Sequence, residues 1–146
     1  MKNTILILIS LLFLTGISEG KEVSYLQDRN GIKYEINSEI GFTGKYVTYY
    51  ENGQKRFEEK YKNGREDGLY TWWYKNGQKD LERTYKNGKQ EGPFTYWYKN
   101  EQKQSEGNYK DGEMEGRFTS WYENGKKMTE RNYKNGEMKG LWIYWD

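Results

Sequence analysis

The chain has 146 residues, 32% of them charged and 18% aromatic, and its mean hydropathy is −1.24. Lys and Arg number 24 against 22 Asp and Glu, a net charge of +2 with both signs interspersed, whereas nucleic-acid binding needs clustered cations. Cys and His are absent, which excludes disulfides, Cys- or His-ligated zinc and nucleophiles that depend on a His base. Such low hydropathy is typical of disorder, but disordered chains are poor in rings, so the aromatic content predicts a folded chain.

The first 20 residues have the pattern of a signal peptide. Lys2 is followed by an apolar run at 5–14, and small residues follow up to Ser18 and Gly20. A membrane-spanning helix needs about 20 apolar residues, so this run is short for an anchor. We therefore predict a signal peptide at 1–20 and an exported protein, periplasmic or extracellular in the cell envelope. An uncleaved anchor or a buried N-terminal helix is the alternative.

Residues 21–43 are predicted to form a capping hairpin. Strand-like runs at 23–28 and 32–37 flank Asn30 and Gly31, a dipeptide that favours a tight turn. The spacing of this hairpin does not match the sequence repeat that begins at residue 44.

From residue 44 onwards the sequence repeats every 24 residues, and each unit begins at a glycine. The glycines are Gly44, Gly68, Gly92, Gly116 and Gly140. Four ungapped copies follow one another at 44–67, 68–91, 92–115 and 116–139, and a half-repeat occupies 140–146.

The first half of each copy is rich in rings. Two residues after the glycine stand Tyr46, Tyr70, Phe94, Phe118 and Trp142. Five residues after it stand Tyr49, Trp73, Trp97, Trp121 and Trp145. The next position carries Tyr50, Tyr74, Tyr98 and Tyr122. Rings mixed with β-branched residues at this density predict a strand with rings on both faces.

Turn dipeptides separate this strand from a second, charged one. Asn-Gly at 52–53, 76–77 and 124–125 predicts a hairpin turn whose two central residues both have positive φ. In the third copy Glu101 replaces the glycine, so we expect that turn to be longer or strained. The charged strand ends at a second Lys-Asn-Gly or Lys-Asp-Gly turn, and Pro93 is expected at the first residue of the strand that follows. In all, about 11 strands are predicted in a sheet about 50 Å long.

The pattern Gly-x-aromatic-Thr-x-Trp-Tyr-x-Asn-Gly, followed by Glu-x-x-Tyr-Lys-Asn-Gly, resembles the MORN repeat variant, a bacterial group often labelled as YwqK-type antitoxins. The resemblance implies an all-β fold: an elongated single-layer antiparallel sheet of stacked β-hairpins, here preceded by a signal peptide. It also implies contacts with proteins or membrane lipids. An exported antitoxin could meet only a toxin that acts in the envelope.

Catalysis and metal binding are not expected. Glu58, Glu82, Glu106 and Glu130 occupy one fixed position in the four copies, whereas an active site is needed once, so this row indicates a structural role. The acidic loop at 110–115 matches no EF-hand and is interpreted as a solvated turn. We predict a non-enzyme without cofactor or metal.

A single-layer sheet cannot bury both of its faces, so one aromatic face is expected to stay partly open as a binding surface. The candidates are Tyr49, Trp73, Trp97, Trp121, Trp145, Tyr50, Tyr74, Tyr98 and Tyr122. The last strand, at 141–145, is a predicted edge that could accept a partner strand. The favoured partner is a protein; a cell-wall glycan stacked on the rings is the alternative, and the near-zero net charge disfavours lipid contact without excluding it. Nucleic acid is not expected, and the oligomeric state stays open.

Overall fold

The computed structural model describes residues 21–146, so the predicted signal peptide lies outside the described residues. The described part contains 13 strands and no helix. The strands are β1 (Glu22–Val23), β2 (Gln27–Arg29), β3 (Ile32–Tyr34), β4 (Gly44–Tyr49), β5 (Lys55–Lys62), β6 (Arg65–Trp73), β7 (Lys79–Lys86), β8 (Lys89–Trp97), β9 (Lys103–Lys110), β10 (Glu113–Met114), β11 (Gly116–Trp121), β12 (Lys127–Lys134) and β13 (Glu137–Tyr144).

Eleven of these strands form one sheet in the order β1-β4-β5-β6-β7-β8-β9-β11-β12-β13, with β10 also paired to β9. From β4 onwards every pairing is antiparallel, and each strand pairs with the one before it in the sequence, except that β11 pairs with β9 and not with the two-residue β10. Only the two-residue β1 pairs in parallel, alongside β4. The prediction of an all-β sheet of stacked hairpins is confirmed.

The cap hairpin forms around Asn30 and Gly31, with shorter strands than the sequence suggested, and β2 and β3 make a separate two-stranded sheet. The backbone of the first repeat's second turn ties it to the main sheet. The Lys33 amide donates to the Gly64 carbonyl at 2.8 Å, and the Gly64 amide donates to the Phe42 carbonyl at 2.7 Å. The buried Phe42 ring lies 6.2 Å from the Tyr61 ring. The cap therefore covers one corner of the first repeat.

The two turns of each repeat have different geometries. At the second turn both central residues have positive φ, as at Asn63 (51°) and Gly64 (77°), which defines a two-residue type I′ hairpin. At the first turn only Gly53 has positive φ, and the Tyr50 amide donates to the Gln54 carbonyl across a three-residue loop. The prediction of two positive φ values at 52–53 was therefore wrong. The Asn52 side chain instead accepts a hydrogen bond from the Gln54 amide, which holds the loop in shape.

The third-copy turn has the same length as the others. Its Tyr98 amide donates to the Gln102 carbonyl at 2.8 Å, as in the first copy, so the expectation of a longer loop was wrong. Glu101 adopts a φ of 66°, a region that penalises a residue with a Cβ. Of the two alternatives predicted for this turn, a strained residue is therefore confirmed and a longer loop is not.

Pro93 lies in the middle of β8, not at its first residue as predicted. On the β7 side the ladder is interrupted here, because Gln90 pairs with Tyr85 and Phe94 with Arg83, which leaves three residues of β8 opposite one residue of β7. Proline is tolerated at such a bulge, where the ladder needs no N–H group.

The sheet has two distinct faces. The ring face carries Tyr46, Tyr70, Phe94, Phe118 and Trp142. The first four rings contact other rings of this face at centroid distances of 5.1–6.4 Å, and the Arg131 guanidinium lies over the Trp142 ring. The ladder face carries a row that crosses the sheet in register, in the order Val47, Glu58, Thr71, Glu82, Thr95, Glu106, Thr119, Glu130, Ile143.

Gly107 makes room for a ring on the ring face. A Cβ at this position would lie 2.8 Å from the Phe94 ring, which packs there and is buried. Strand β9 nevertheless runs without interruption from Lys103 to Lys110. In the third copy the absence of a side chain at position 107 therefore allows the Phe94 ring to pack directly against the β9 backbone.

Replacing Glu101 with glycine should raise the free energy of unfolding by about 1 kcal/mol, because it removes a Cβ from a left-handed conformation. Urea denaturation followed by tryptophan fluorescence would measure the change. The matched control is Gly53→Glu in the first copy, where a Cβ meets nothing within 4 Å and only the backbone strain is added. That control should be destabilised by a similar amount; no change in either variant would contradict the strain assignment.

Candidate functional site

A row of rings and lysines runs along the ladder face beside the first turns. Each Lys amine of the row lies over a Trp ring of the next repeat, at 5.3–6.0 Å from the ring centroid. The pairs are Lys55–Trp73, Lys79–Trp97, Lys103–Trp121 and Lys127–Trp145. We call these eight residues the Trp–Lys row.

Each amine of the Trp–Lys row also forms an ion pair with the carboxylate three residues later. Lys55 pairs with Glu58 at 2.5 Å and Lys103 with Glu106 at 2.6 Å, and Lys79 and Lys127 make the equivalent pairs. The repeated glutamates therefore have a structural role. Each one neutralises a lysine, and each one lies opposite a residue of the neighbouring strand on the ladder face. The four Trp rings are half-buried, and each has a cation over it. Tyr49, at the same repeat position in the first copy, is 49% exposed and donates its hydroxyl proton to Glu22.

The second predicted row, Tyr50 and its equivalents, joins neighbouring repeats. Each hydroxyl donates to the Trp carbonyl 23 residues later, at 2.7 Å from Tyr50, 2.6 Å from Tyr74, 2.9 Å from Tyr98 and 3.2 Å from Tyr122. Burial, and then the hydrogen bond and charge of nearby Asp80, raise the pKa of Tyr74 to about 12, so it is protonated and able to donate at neutral pH. These four side chains therefore have a structural role whether or not they also contact a partner.

One buried carboxyl lies on the ring face beneath the cap. The Tyr61 hydroxyl donates to Glu59 Oε2 at 2.6 Å, and both side chains are buried. Burial raises the pKa of Glu59, although the Tyr61 hydrogen bond opposes the shift. Glu58, on the opposite face, differs: burial raises its pKa, but the Lys55 hydrogen bond and the charges of Lys55 and Lys45 outweigh burial and lower it overall.

The most exposed apolar surface of the main sheet lies on β13. Leu141 is 84% exposed, Trp142 57% and Ile143 43%, and Met138 and Tyr144 are also exposed. Among residues 21–146, β13 has β12 on one side and no strand on the other. Trp142 and Tyr144 are not among the predicted ring-row candidates, but both lie on the strand at 141–145 that the sequence predicted as an edge able to accept a partner strand.

Over residues 21–146 no cluster of three or more acidic side chains is positioned to hold a metal ion. In the same part of the chain, no helix is long and apolar enough to cross a membrane.

The fold is that of a single-sheet array of hairpin repeats. The family model of the MORN repeat variant matches residues 42–63, 66–87, 90–111 and 114–135, and the chain belongs to this family. A comparison with curated proteins finds no match. Among solved structures, the chain is similar to "Crystal structure of GtfA/B complex bound to UDP and GlcNAc", with 17% identity and a TM-score of 0.30 over 75% of this chain. The aligned part spans only 23% of that chain.

Replacing Tyr98 with phenylalanine should lower the free energy of unfolding by about 1 kcal/mol, because it removes the hydrogen bond to the Trp121 carbonyl of the next repeat. Urea denaturation would measure the loss. Tyr25→Phe is the control, since Tyr25 is 59% exposed. Equal stabilities of the two variants would contradict the structural role of the tyrosine row.

Glu59 and Glu58 should affect the pH dependence of stability in opposite directions. The raised pKa of Glu59 gives a contribution that is present below the unfolded value of 4.5 and is lost as pH rises through the folded pKa, so Glu59→Gln should stabilise the protein at neutral pH. The lowered pKa of Glu58 gives a contribution that is present above 4.5 and is lost as pH falls through the folded pKa, so Glu58→Gln should destabilise at neutral pH.

Urea denaturation of both variants at about pH 3 and about pH 7 would separate these effects. The same sign of change for both variants at neutral pH would contradict the assignment of the two carboxyls.

Proposed function

We propose that this protein is an exported, non-catalytic repeat scaffold that binds another protein in the cell envelope. Export is supported by the signal-peptide pattern of residues 1–20. Membership of the MORN repeat variant family supports a scaffold, because such repeats are generally non-catalytic and serve in contacts. An immunity-like role, in which the scaffold holds an envelope-acting toxin, is one form of this function.

The observation that carries the proposal is the exposed edge strand β13. Its large apolar side chains are exposed on both faces of the sheet, and its outer backbone groups have no partner strand among residues 21–146. A long apolar edge strand is a surface on which another chain can add a strand. The opposite end of the sheet is different, because β1 pairs alongside β4 there and the cap hairpin lies against the first repeat.

A cell-wall glycan is the second candidate ligand. The Trp rings of the Trp–Lys row recur every second strand, about 9.6 Å apart, so a ligand that itself repeats would meet several equivalent sites. The lysines disfavour glycan binding, because each places its amine over a Trp ring face on which a sugar would have to stack.

An affinity pull-down from an envelope extract, with the purified chain as bait, tests the proposed function. We expect one protein at near-stoichiometric yield, with binding weakened at least about tenfold by Leu141→Lys, which puts a charge in the exposed apolar edge. Leu69→Lys is the matched control, because Leu69 has the same repeat position and is also exposed but lies on β6, inside the sheet.

Retention of wall fragments with no protein would replace the proposed function by glycan binding. Retention of vesicles alone would replace it by lipid contact. Equal effects of the two lysine variants would exclude β13 as the contact.

A further inference from the structure

The sheet contains four internal examples of how a strand like β13 is covered. In each copy the strand that starts at the repeat glycine pairs with the following charged strand in one register. The glycine opposes a tyrosine, as in Gly68↔Tyr85, and the ring five residues later opposes a lysine, as in Trp73↔Lys79. The same register holds in the other three copies, for β4 with β5, β8 with β9 and β11 with β12.

Strand β13 begins the same pattern again, and among residues 21–146 no charged strand lies on its outer side. Its sequence at 140–145 is Gly-Leu-Trp-Ile-Tyr-Trp, which is closest to the Gly-Leu-Tyr-Thr-Trp-Trp of 68–73. In both segments leucine follows the glycine, a ring comes next, then a β-branched residue, then two more rings. The partner of 68–73 is β7, with the sequence Lys-Asp-Leu-Glu-Arg-Thr-Tyr-Lys.

We propose that the outer edge of β13 binds, in antiparallel orientation, a strand of the partner protein with the pattern Lys-x-apolar-Glu-x-x-Tyr. This inference rests on the proposed protein-binding function and names the segment of the partner that makes the contact. The register of β6 with β7 then fixes which residues oppose each other across the new pair.

On the ladder face the partner's glutamate lies opposite Ile143. Each internal glutamate of this row lies opposite a threonine or Val47 in the strand before it, and the row ends at Ile143, which Glu130 opposes on the β12 side. The partner's own lysine, three residues before the glutamate, neutralises it as Lys79 neutralises Glu82. The partner strand therefore adds one more neutral pair to the ladder.

On the ring face the apolar residue of the partner lies opposite Tyr144. Its internal equivalent is Leu81, which pairs with Trp72 and is 7% exposed. The residue after the partner's glutamate lies opposite Trp142, where the internal example has Arg83 at 4.8 Å from the Tyr70 ring. Trp142 is 57% exposed even with Arg131 stacked on it at 4.1 Å, so surface is left for a second contact.

The first test uses the unmodified chain and a synthetic peptide with the β7 sequence, residues 79–86. Nuclear magnetic resonance spectra of the isotope-labelled chain should show chemical-shift changes concentrated on β13 and slowed hydrogen exchange of its amides. A peptide with Leu81→Lys should bind more weakly, because the charge would lie against Tyr144. Binding at other strands, or no binding by the β7 peptide, would overturn the inference.

The second test fixes the register by charge exchange. In Ile143→Lys the new lysine lies between Glu130 and the glutamate of the peptide, so this variant should prefer the β7 peptide over its Glu82→Lys form about fivefold more strongly than the unmodified chain does. Tyr144→Lys, on the other face, should leave the preference unchanged. Equal preferences of the three chains would exclude the proposed register.

The two proposals can fail separately. If the pull-down yields a protein that the β7 peptide does not displace, the inference fails and the proposed function stands. If the peptide binds β13 but the extract yields no protein, the function fails and the strand-binding edge remains. Concentration-dependent self-association that Leu141→Lys abolishes would show that a second copy occupies the edge, and would overturn the inference.

Discussion

A sheet one layer thick has no second layer to pack against, so it must cover both of its faces with its own side chains. In this protein long side chains lie over one another along the sheet. On the ring face the rings contact each other across strands, and Arg83 and Arg131 lie over rings of neighbouring strands. On the ladder face each lysine lies over a Trp of the next repeat while it pairs with a glutamate. Aromatic residues are therefore needed in every repeat for folding alone.

Because each strand is covered by its neighbours in the sheet, the two end strands are the ones that lack cover on one side. An interior strand is covered by the repeat on either side, and the tyrosine row ties those repeats together through backbone carbonyls. At the first repeat β1 and the cap hairpin provide cover. Strand β13 keeps the ring pattern of an interior strand but is exposed along its whole length. The rings and apolar side chains that neighbouring repeats cover in the interior strands are thus exposed to solvent on β13, where a partner can add a strand.

The sequence was sufficient to predict the repeated unit, since glycine spacing, ring rows and Asn-Gly dipeptides each have a local physical meaning. Details that depend on the neighbouring strand were not predictable in this way. Asn52-Gly53 and Asn63-Gly64 are the same dipeptide, yet they form different turns, because the bulge at Thr48 and Tyr49 lengthens the first loop by one residue. Pro93 was misplaced for the same reason, because a bulge opposite β7 lets β8 continue through it.

The candidate site was predictable only in part. The Trp and Tyr rows were visible as recurring letters in the sequence. The lysine over each Trp ring comes from the preceding repeat and the carbonyl bound by each Tyr comes from the following one, so both contacts depend on the register between strands. Glu59 gave no signal in the sequence, because it is one charged residue among several in β5, and its burial beside Tyr61 becomes visible only in the folded sheet.

Among residues 21–146, β13 is an open edge that carries the side-chain pattern of an interior strand. Native-state hydrogen exchange of the free chain tests whether this edge is open, by comparing the amides of β13 with those at the same repeat positions in β6. The amides of β13 that are not bonded to β12 should exchange quickly, while their β6 equivalents should be protected. Equal protection of the two strands in the free chain would show that the edge is already covered, and β13 would then not be the binding surface.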